Sequence, residues 1–499
     1  MVCSLPLFLA LCFVCYKQFL INYIDEWTGR GLYPGLAFFH GFDLYSPGTG
    51  PHVTLYGWAT GMFYSLCGFA NNPIQAISIA NNTNLLSLIV ILFGIFWNLF
   101  KYHLESRFFS IFLTILTLCL VIFISLTDLT TFCIFKIHAD WPAMSFILVS
   151  LILFRFYILN KKNVFLLLTS IFLVLSAWAK LPTLPVLLFP LIYFLIDKSF
   201  KSAFQYFLLC LASLLSSIII VGLSYGFYDT YFILFDHISD NKWSDRNSLF
   251  DGKGAPLIRM SYFDATPLLL RFLSMYINEY WYLCLSSCLC LVTSFSKLIN
   301  SQNRFIFRTL SIIYFLTLPA CLAAVAHFGS VENSLFFANF SGVLCLVSLT
   351  LVAVVQIFNL QQSAYILLFI TYFSCLPSLR QARSINTSSL ISPHQQAFDY
   401  LESGKKDVYF GWYPVSHLLH SSKNYSCIEV PTWVGMTKPK LLKFGLNHIP
   451  NNAKFLATSP TGYGSTILKQ YIGDLVEVPA PDELSSWRLY EIKALSTVD

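Results

Sequence analysis

Two short segments hold the side chains best suited to chemistry. The first reads "YIDEWTGRGLYPGLAFFHGFDLYSPGTGPHVTLYGW" and sets Asp25 beside Glu26 where an apolar run ends. A carboxylate at the margin of an apolar segment is costly unless it is paired or functional. Such an acid can take a proton from a hydroxyl. Its plainer reading is the wet end of a span, capping the next helix at its positive N-terminus. The second segment, "TDLTTFCIFKIHADWPAM", gathers Lys136, His138 and Asp140 into one loop. His138 and Asp140 are candidate ligands of a divalent metal, although their i, i+2 spacing is no strong ligand signature. The plainer reading makes Asp140 the N-cap of a helix opening on Trp141 and Pro142.

Cations able to hold a phosphate are Lys136, Lys180 in "WAKLP", and Arg246, Lys253 and Arg259 in or beside "DNKWSDRNSLFDGKGAP". Any one of these has an ordinary reading as a solvated loop charge. Tyr45, and by position alone His327 and Glu332 in "AHFGSVENS", complete the set that could line a substrate cavity.

The elements that must position these residues are set by composition. The 499 residues are 56% hydrophobic and only 11% charged, against roughly 25% charged in soluble domains, so most of the chain belongs in lipid. Crossing a hydrocarbon core of roughly 30 Å takes about 20 apolar residues in a helix, because every backbone polar group there must be paired internally. Runs of that kind fall at 4–22, 83–100, 108–127, 142–159, 164–179, 183–197, 204–224, 270–294, 309–326, 335–358 and 362–377. They predict an α-helical polytopic membrane protein of about eleven transmembrane helices. The first run lacks a basic leader and a small-residue cleavage site and carries Lys17, so it reads as a helix rather than a signal peptide.

Loop charge gives the orientation. Lys101 and Arg107, Lys161 and Lys162, Lys198 and Lys201, and Lys297, Arg304 and Arg308 fall in alternate short loops. Those loops are expected on the cytoplasmic side. This puts the N-terminus inside, and residues 378–499 and the longer loops 23–82, 128–141 and 225–269 outside. The net charge of +6 is therefore loop charge rather than a nucleic-acid-binding face. The apolar stretch 53–69 would invert every later loop if it crossed; its Tyr and Trp suit a helix lying in the outer interface. Of the fourteen cysteines, most lie in apolar runs as small lipid-compatible side chains, and none forms a CxxC pair with zinc-like His spacing. Cys427 stands alone after residue 377, so no disulfide is expected within that part.

The first outer loop resembles that of the GT-C superfamily, whose members include protein O-mannosyltransferases and bacterial transferases that take sugars from polyprenyl phosphate. The resemblance rests on an Asp-Glu pair after the first helix, a short helix ending in a G-x-x-x-Y turn, then Pro and an aromatic interfacial helix. The matching residues are Asp25, Glu26, Gly41, Tyr45, Pro51 and Tyr56. By motif it covers only this loop; by layout it covers the chain. The resemblance implies a glycosyltransferase using a polyprenyl-phosphate sugar donor on the outer face of a bacterial cytoplasmic membrane. Asp25 would be general base with Glu26 beside it, and Asp140 the loop's acidic residue. The acceptor, whether glycan, lipid or protein, is not indicated, and a divalent metal is an option rather than a requirement. A transporter or flippase for a lipid-linked or polar solute is the alternative from another class. It lacks the expected internal repeats and broken midplane helices. A non-catalytic scaffold is a third.

Two domains are expected: a membrane domain over 1–377 and an extracytoplasmic α/β domain over 378–499. In the latter, "HQQAFDYLESG" and "STILKQYIG" are helix-like, and "KDVYFGW", "KFLATS", "DLVEVP" and "WRLYEIK" strand-like. "PTGYGS" is too short for a P-loop. A structural or acceptor-positioning role is expected.

Overall fold

The computed structural model describes residues 5–25, 28–45, 57–100, 107–125, 134–231, 242–244, 257–259, 266–297, 299–326, 332–358, 360–384, 392–411, 414–425, 427, 450, 452–458 and 476–492. Long apolar helices dominate. They are α1 (Leu5–Ile24), α4 (Pro73–Phe100), α5 (Arg107–Ser125), α6 (Asp140–Asn160), α7 (Asn163–Ala179), α9 (Phe200–Tyr225), α11 (Thr266–Thr293), α12 (Ser301–Ala326), α13 (Phe336–Ile357) and α14 (Leu360–Ser384). Between them lie the shorter α2 (Gly29–Phe39), α3 (Trp58–Phe63), α8 (Phe189–Ile196) and α10 (Phe227–Tyr231). Among the described residues, seven helices are long and apolar enough to cross a membrane, and three shorter apolar helical segments accompany them. The protein is a multi-pass α-helical membrane protein.

The expected span at 183–197 takes a different form. Pro182, Pro185 and Pro190 deny the backbone N–H groups an α-helix would need. The chain therefore winds as a 3-10 helix over Leu181–Leu188 before α8 begins. Residues 58–69 form the six-residue α3 and a 3-10 turn, Ser65–Phe69; both are too short to cross a membrane, as the orientation argument required. Residues 53–56 lie outside the described residues.

Helices α6 and α7 pack as a hairpin, α11, α12 and α13 form a second group, and α14 returns to lie against α1 and α5. Ser378 on α14 donates to the Phe123 carbonyl on α5 at 2.9 Å. The short α2 and α3 nestle together through glycines. A methyl group on Gly35 would meet the Tyr64 carbonyl at 2.7 Å, and one on Gly31 would meet Ile137 at the same distance. A larger residue at Gly31 would push α2 off the loop that carries Lys136 and His138, and one at Gly35 would push it off the end of α3.

Beyond α14 the chain forms a small α/β unit. Strands β3 (Val408–Phe410), β4 (Phe455–Thr458), β5 (Val476–Val478) and β6 (Arg488–Glu491) follow β1 (Lys242–Ser244) and β2 (Leu257–Arg259) of a separate antiparallel hairpin. The sheet order is β3-β4-β6-β5, with β3 and β4 parallel and the other pairs antiparallel. Helices α15 (Pro393–Glu402) and α16 (Val415–Ser421) pack with it. All four strand-like segments of the sequence are strands; "STILKQYIG" lies outside the described residues. The unit docks on α2 and on the start of α4. The Tyr33 hydroxyl hydrogen-bonds both the Asn424 side chain and the Tyr425 carbonyl, and Ile74 donates its N–H to Gln395 Oε1 at 3.3 Å. Burial holds Tyr33 far above the ordinary phenol range, so it stays a neutral partner in this latch.

Candidate active site

Asp25 follows the last residue of α1, held there by a backbone bond from its N–H to the Ile21 carbonyl at 2.8 Å. Its carboxylate pairs with the Lys136 ammonium at 2.9 Å, and both side chains keep partial access to solvent. It does not cap α2, whose N-cap, Thr28, makes no side-chain capping bond; Thr28 Oγ1 turns back to the Asn22 carbonyl at 2.8 Å.

Lys136 is carried by the loop that leads into α6. That helix starts at Asp140, and its N-cap position, Ala139, supplies no side-chain cap. Asp140 is thus not the N-cap the plain reading would have made it. Its side chain is fully buried, with His138 Nδ1 on one oxygen and the Lys180 ammonium on the other. A buried carboxylate is tolerated only with such compensation. His138 presents Nδ1 to the carboxylate, so its proton resides on that nitrogen. Lys180 reaches this position because α7 ends at Ala179 and Lys180 turns extended, at φ −154° and ψ 118°, ahead of the Leu181-Pro182 step. The ammonium also lies 5.8 Å from the centre of the Phe337 ring.

The end of α7 is pinned from the other side. A methyl group on Gly57 would fall 1.2 Å from the Trp178 carbonyl, so only glycine permits this backbone approach. Thr60 Oγ1 donates to the Ala179 carbonyl at 3.1 Å.

A ladder of amides that sequence reasoning passed over holds the Lys136–His138 loop. Asn22 donates to Asn81 Oδ1 at 2.5 Å and to the Phe135 carbonyl at 2.7 Å. Asn84 donates to the Lys136 carbonyl at 3.1 Å, and the Tyr64 hydroxyl lies between Asn84 Oδ1 at 3.0 Å and the His138 carbonyl at 3.2 Å. Asn22, Asn81, Asn84 and Tyr64 are all buried. The signal was present: Asn81 and Asn84, three apart in "NNTN", share one face of a helix that is otherwise apolar.

The structure therefore joins five expected residues into two neighbouring groups, Asp25–Lys136 and His138–Asp140–Lys180. Tyr45 is buried, its N–H accepted by Asp43 Oδ1 at 2.9 Å and its ring edge-on to Tyr225 at 5.4 Å. Gly41, at φ +71°, makes the turn that ends α2. Arg259 sits in β2 opposite Lys242 and Glu332 opens a 3-10 turn; their side chains lie outside the described ones. Glu26, Pro51, Tyr56, Arg246, Lys253 and His327 lie outside the described residues altogether. No group of three or more His, Cys, Asp and Glu side chains able to hold a metal occurs among the described residues. A divalent cation at Asp140 would have to displace Lys180.

Beside this site an apolar cavity of about 420 Å³ runs between the end of α7, the 3-10 helix, α9 and α10. Trp178 and Leu181, which flank Lys180 in sequence, are in its wall with Leu214, Ile218 and Tyr231.

The fold is matched in solved structures. ArnT from Cupriavidus metallidurans bound to undecaprenyl phosphate superposes with a TM-score of 0.55 over 97% of both chains, at 10% identity. The apo state of the same protein gives 0.50, with 97% coverage and 11% identity. The chain has the fold of ArnT. No protein-family model and no curated protein matches the sequence. The likeness covers the helical layout and the C-terminal α/β unit together.

Proposed function

We propose that the protein is a glycosyltransferase that moves a sugar from a polyprenyl-phosphate donor to an acceptor hydroxyl at the outer face of the membrane. The observation that carries this reading is the Asp25–Lys136 ion pair beside the buried His138–Asp140–Lys180 group, in a chain with the fold of ArnT. The transfer requires a base for the acceptor, positive charge for the departing phosphate and an apolar path for the prenyl tail. Asp25 serves as the base. Lys136 pairs with it at 2.9 Å. An arriving donor phosphate competes for that ammonium, which frees Asp25 to accept the hydroxyl proton as the sugar C1–O(phosphate) bond breaks. Lys180, whose ammonium carries three donors, supplies the second positive charge. Asp140 and His138 position Lys180 and do not themselves meet substrate.

The apolar cavity supports the lipid part of the reading, because it begins at the residues on either side of Lys180. A prenyl tail lying there would bring its phosphate to the ammonium. ArnT is known bound to undecaprenyl phosphate, which favours the same lipid class here. The basic short loops favour a cytoplasmic N-terminus with residues 378–499 outside, in the cytoplasmic membrane of a bacterium. Arg259, His327, Glu332 and Glu26 remain candidates for donor and acceptor contacts, and the α/β unit for acceptor positioning.

The test is transfer of radiolabelled sugar from polyprenyl phosphate in membranes containing Asp25→Asn. Transfer should fall by about a hundredfold or more, the scale of losing a positioned base. Wild-type transfer by a normally expressed Asp25→Asn protein would remove Asp25 from the mechanism.

A further inference from the structure

At the opposite end of the bundle the chain builds a second charged cluster that the transfer reaction does not use. Helix α6 carries Asp140 at one end and Arg155 roughly 22 Å along it at the other, at 1.5 Å per residue. There α6, α8 and the start of α12 converge. The Arg155 guanidinium stacks on Phe305 at 4.9 Å. Phe305 meets the edge of Tyr193 at 5.6 Å. Arg308 lies between Tyr193 and Phe295, 5.3 Å from each ring, pairs with Asp197, and donates to the Ser294 carbonyl at 3.3 Å. The Tyr193 hydroxyl lies near the Asp197 carboxylate.

Two features of this cluster exceed what a structural ion pair requires. Arg304 and Arg308 are four residues apart on α12 and so share a face, an arrangement that repels unless an anion lies between or beside them. Asp197, the carboxylate that Arg308 meets, is already paired with it. Moreover, Arg308 is only 8% exposed, and its Nε, like that of Arg304, is buried with no hydrogen-bond partner. Buried guanidinium donors without acceptors are costly, and a phosphate is the acceptor whose geometry matches their planar fork.

We propose that this cluster binds the phosphate of an acidic membrane lipid on the face opposite the transfer site. Arg304 and Arg308 hold the headgroup, and the exposed Phe295 and Phe200 lie along its acyl chains. Lys161, Lys198, Lys201 and Lys297, all exposed and each a few residues along the chain from Arg155, Asp197 or Phe295, raise the local concentration of such lipids. The proposal does not depend on the sugar-transfer reading.

The test uses the full-length protein in nanodiscs of phosphatidylcholine containing a minor fraction of phosphatidylglycerol, with retained lipid counted by native mass spectrometry. The wild type should retain phosphatidylglycerol over phosphatidylcholine by about tenfold, the scale of one charge-assisted bond. Arg304→Gln should abolish that preference with folding unchanged, since Arg304 is not a member of the Asp197 pair. Lys161→Gln with Lys201→Gln should leave most of it. Equal retention of the two lipids by the wild type would overturn the proposal. So would loss on the lysine substitutions as large as that on Arg304→Gln, or displacement of the bound lipid by millimolar inorganic phosphate, which would identify a free-anion site.

Discussion

Removing the Lys180 ammonium tests the energetics and the chemistry of the site together. Asp140 is fully buried and Lys180 is 13% exposed. Lys180→Met keeps most of the side-chain volume but takes the ammonium away from the buried carboxylate. Breaking a buried pair from one side costs about 3–5 kcal/mol, most of it from the charge left behind. Adding Asp140→Asn removes that charge. The amide oxygen still accepts from His138 Nδ1, so the double variant should return to within about 1 kcal/mol of wild-type stability. Activity should behave differently. If Lys180 supplies charge to the departing phosphate, the double variant stays depressed by about 10²–10³-fold in transfer, although it is stable. Unfolding in detergent, followed by circular dichroism against denaturant, reads the first quantity, and transfer of labelled sugar in membranes reads the second. A Lys180→Met protein as stable as wild type would refute the buried-pair argument. A stable double variant with wild-type transfer would refute the phosphate role.

Four further outcomes are expected. Asn84→Leu removes the bond to the Lys136 carbonyl and one of the two acceptors of the Tyr64 hydroxyl, so stability should fall by about 1–3 kcal/mol and transfer by more than that loss of folded protein explains; parallel losses would count against a positioning role. Gly57→Ala should displace the end of α7 and lower transfer far more than Gly41→Ala, which meets no atom within 4 Å and incurs only the strain of a left-handed alanine, about 1–2 kcal/mol. Tyr33→Phe removes the hydroxyl that latches the α/β unit, and limited proteolysis should then cut between residues 385 and 392 faster than in the wild type; an unchanged cleavage rate would deny the latch. His417 accepts the Phe410 N–H at 3.1 Å, and burial, then His420, lowers its pKa from 6.5 to about 3. Because the unfolded chain binds that proton first, stability should fall by about 2 kcal/mol from pH 7 to pH 5. His417→Gln, which can still accept the N–H, should flatten that slope, and an unaltered slope would assign it to other groups.

The sequence was most legible where lipid dictates the answer. An apolar run long enough to cross a membrane has few alternatives to a helix, so α1, α6, α9 and α13 follow their runs closely. The run at 183–197 misled because hydropathy does not register proline chemistry. Pro182 and Pro185, which make Leu181–Leu188 a 3-10 helix, are also what allow Lys180 to leave α7 and reach Asp140. Asp25, Lys136, His138, Asp140 and Lys180 could be chosen because charges at the margin of an apolar helix need a reason to be there. Their pairing could not be read, since Lys180 meets Asp140 only when α6 and α7 fold back on one another. The assignment of Asp140 as an N-cap failed for the same reason: a local capping rule could not weigh a distant ammonium against a backbone N–H, and in a buried site the charge is the stronger partner. Asn22, Asn81 and Asn84 show the remaining gap. A neutral amide within a span is cheap enough to pass as tolerated polarity, yet each must find partners, and here those partners are carbonyls of the very loop that bears the charged residues. Paired asparagines at helical spacing in an apolar run therefore point to a backbone that must be held still, and the backbone they hold in this chain is the one that carries Lys136 to Asp25.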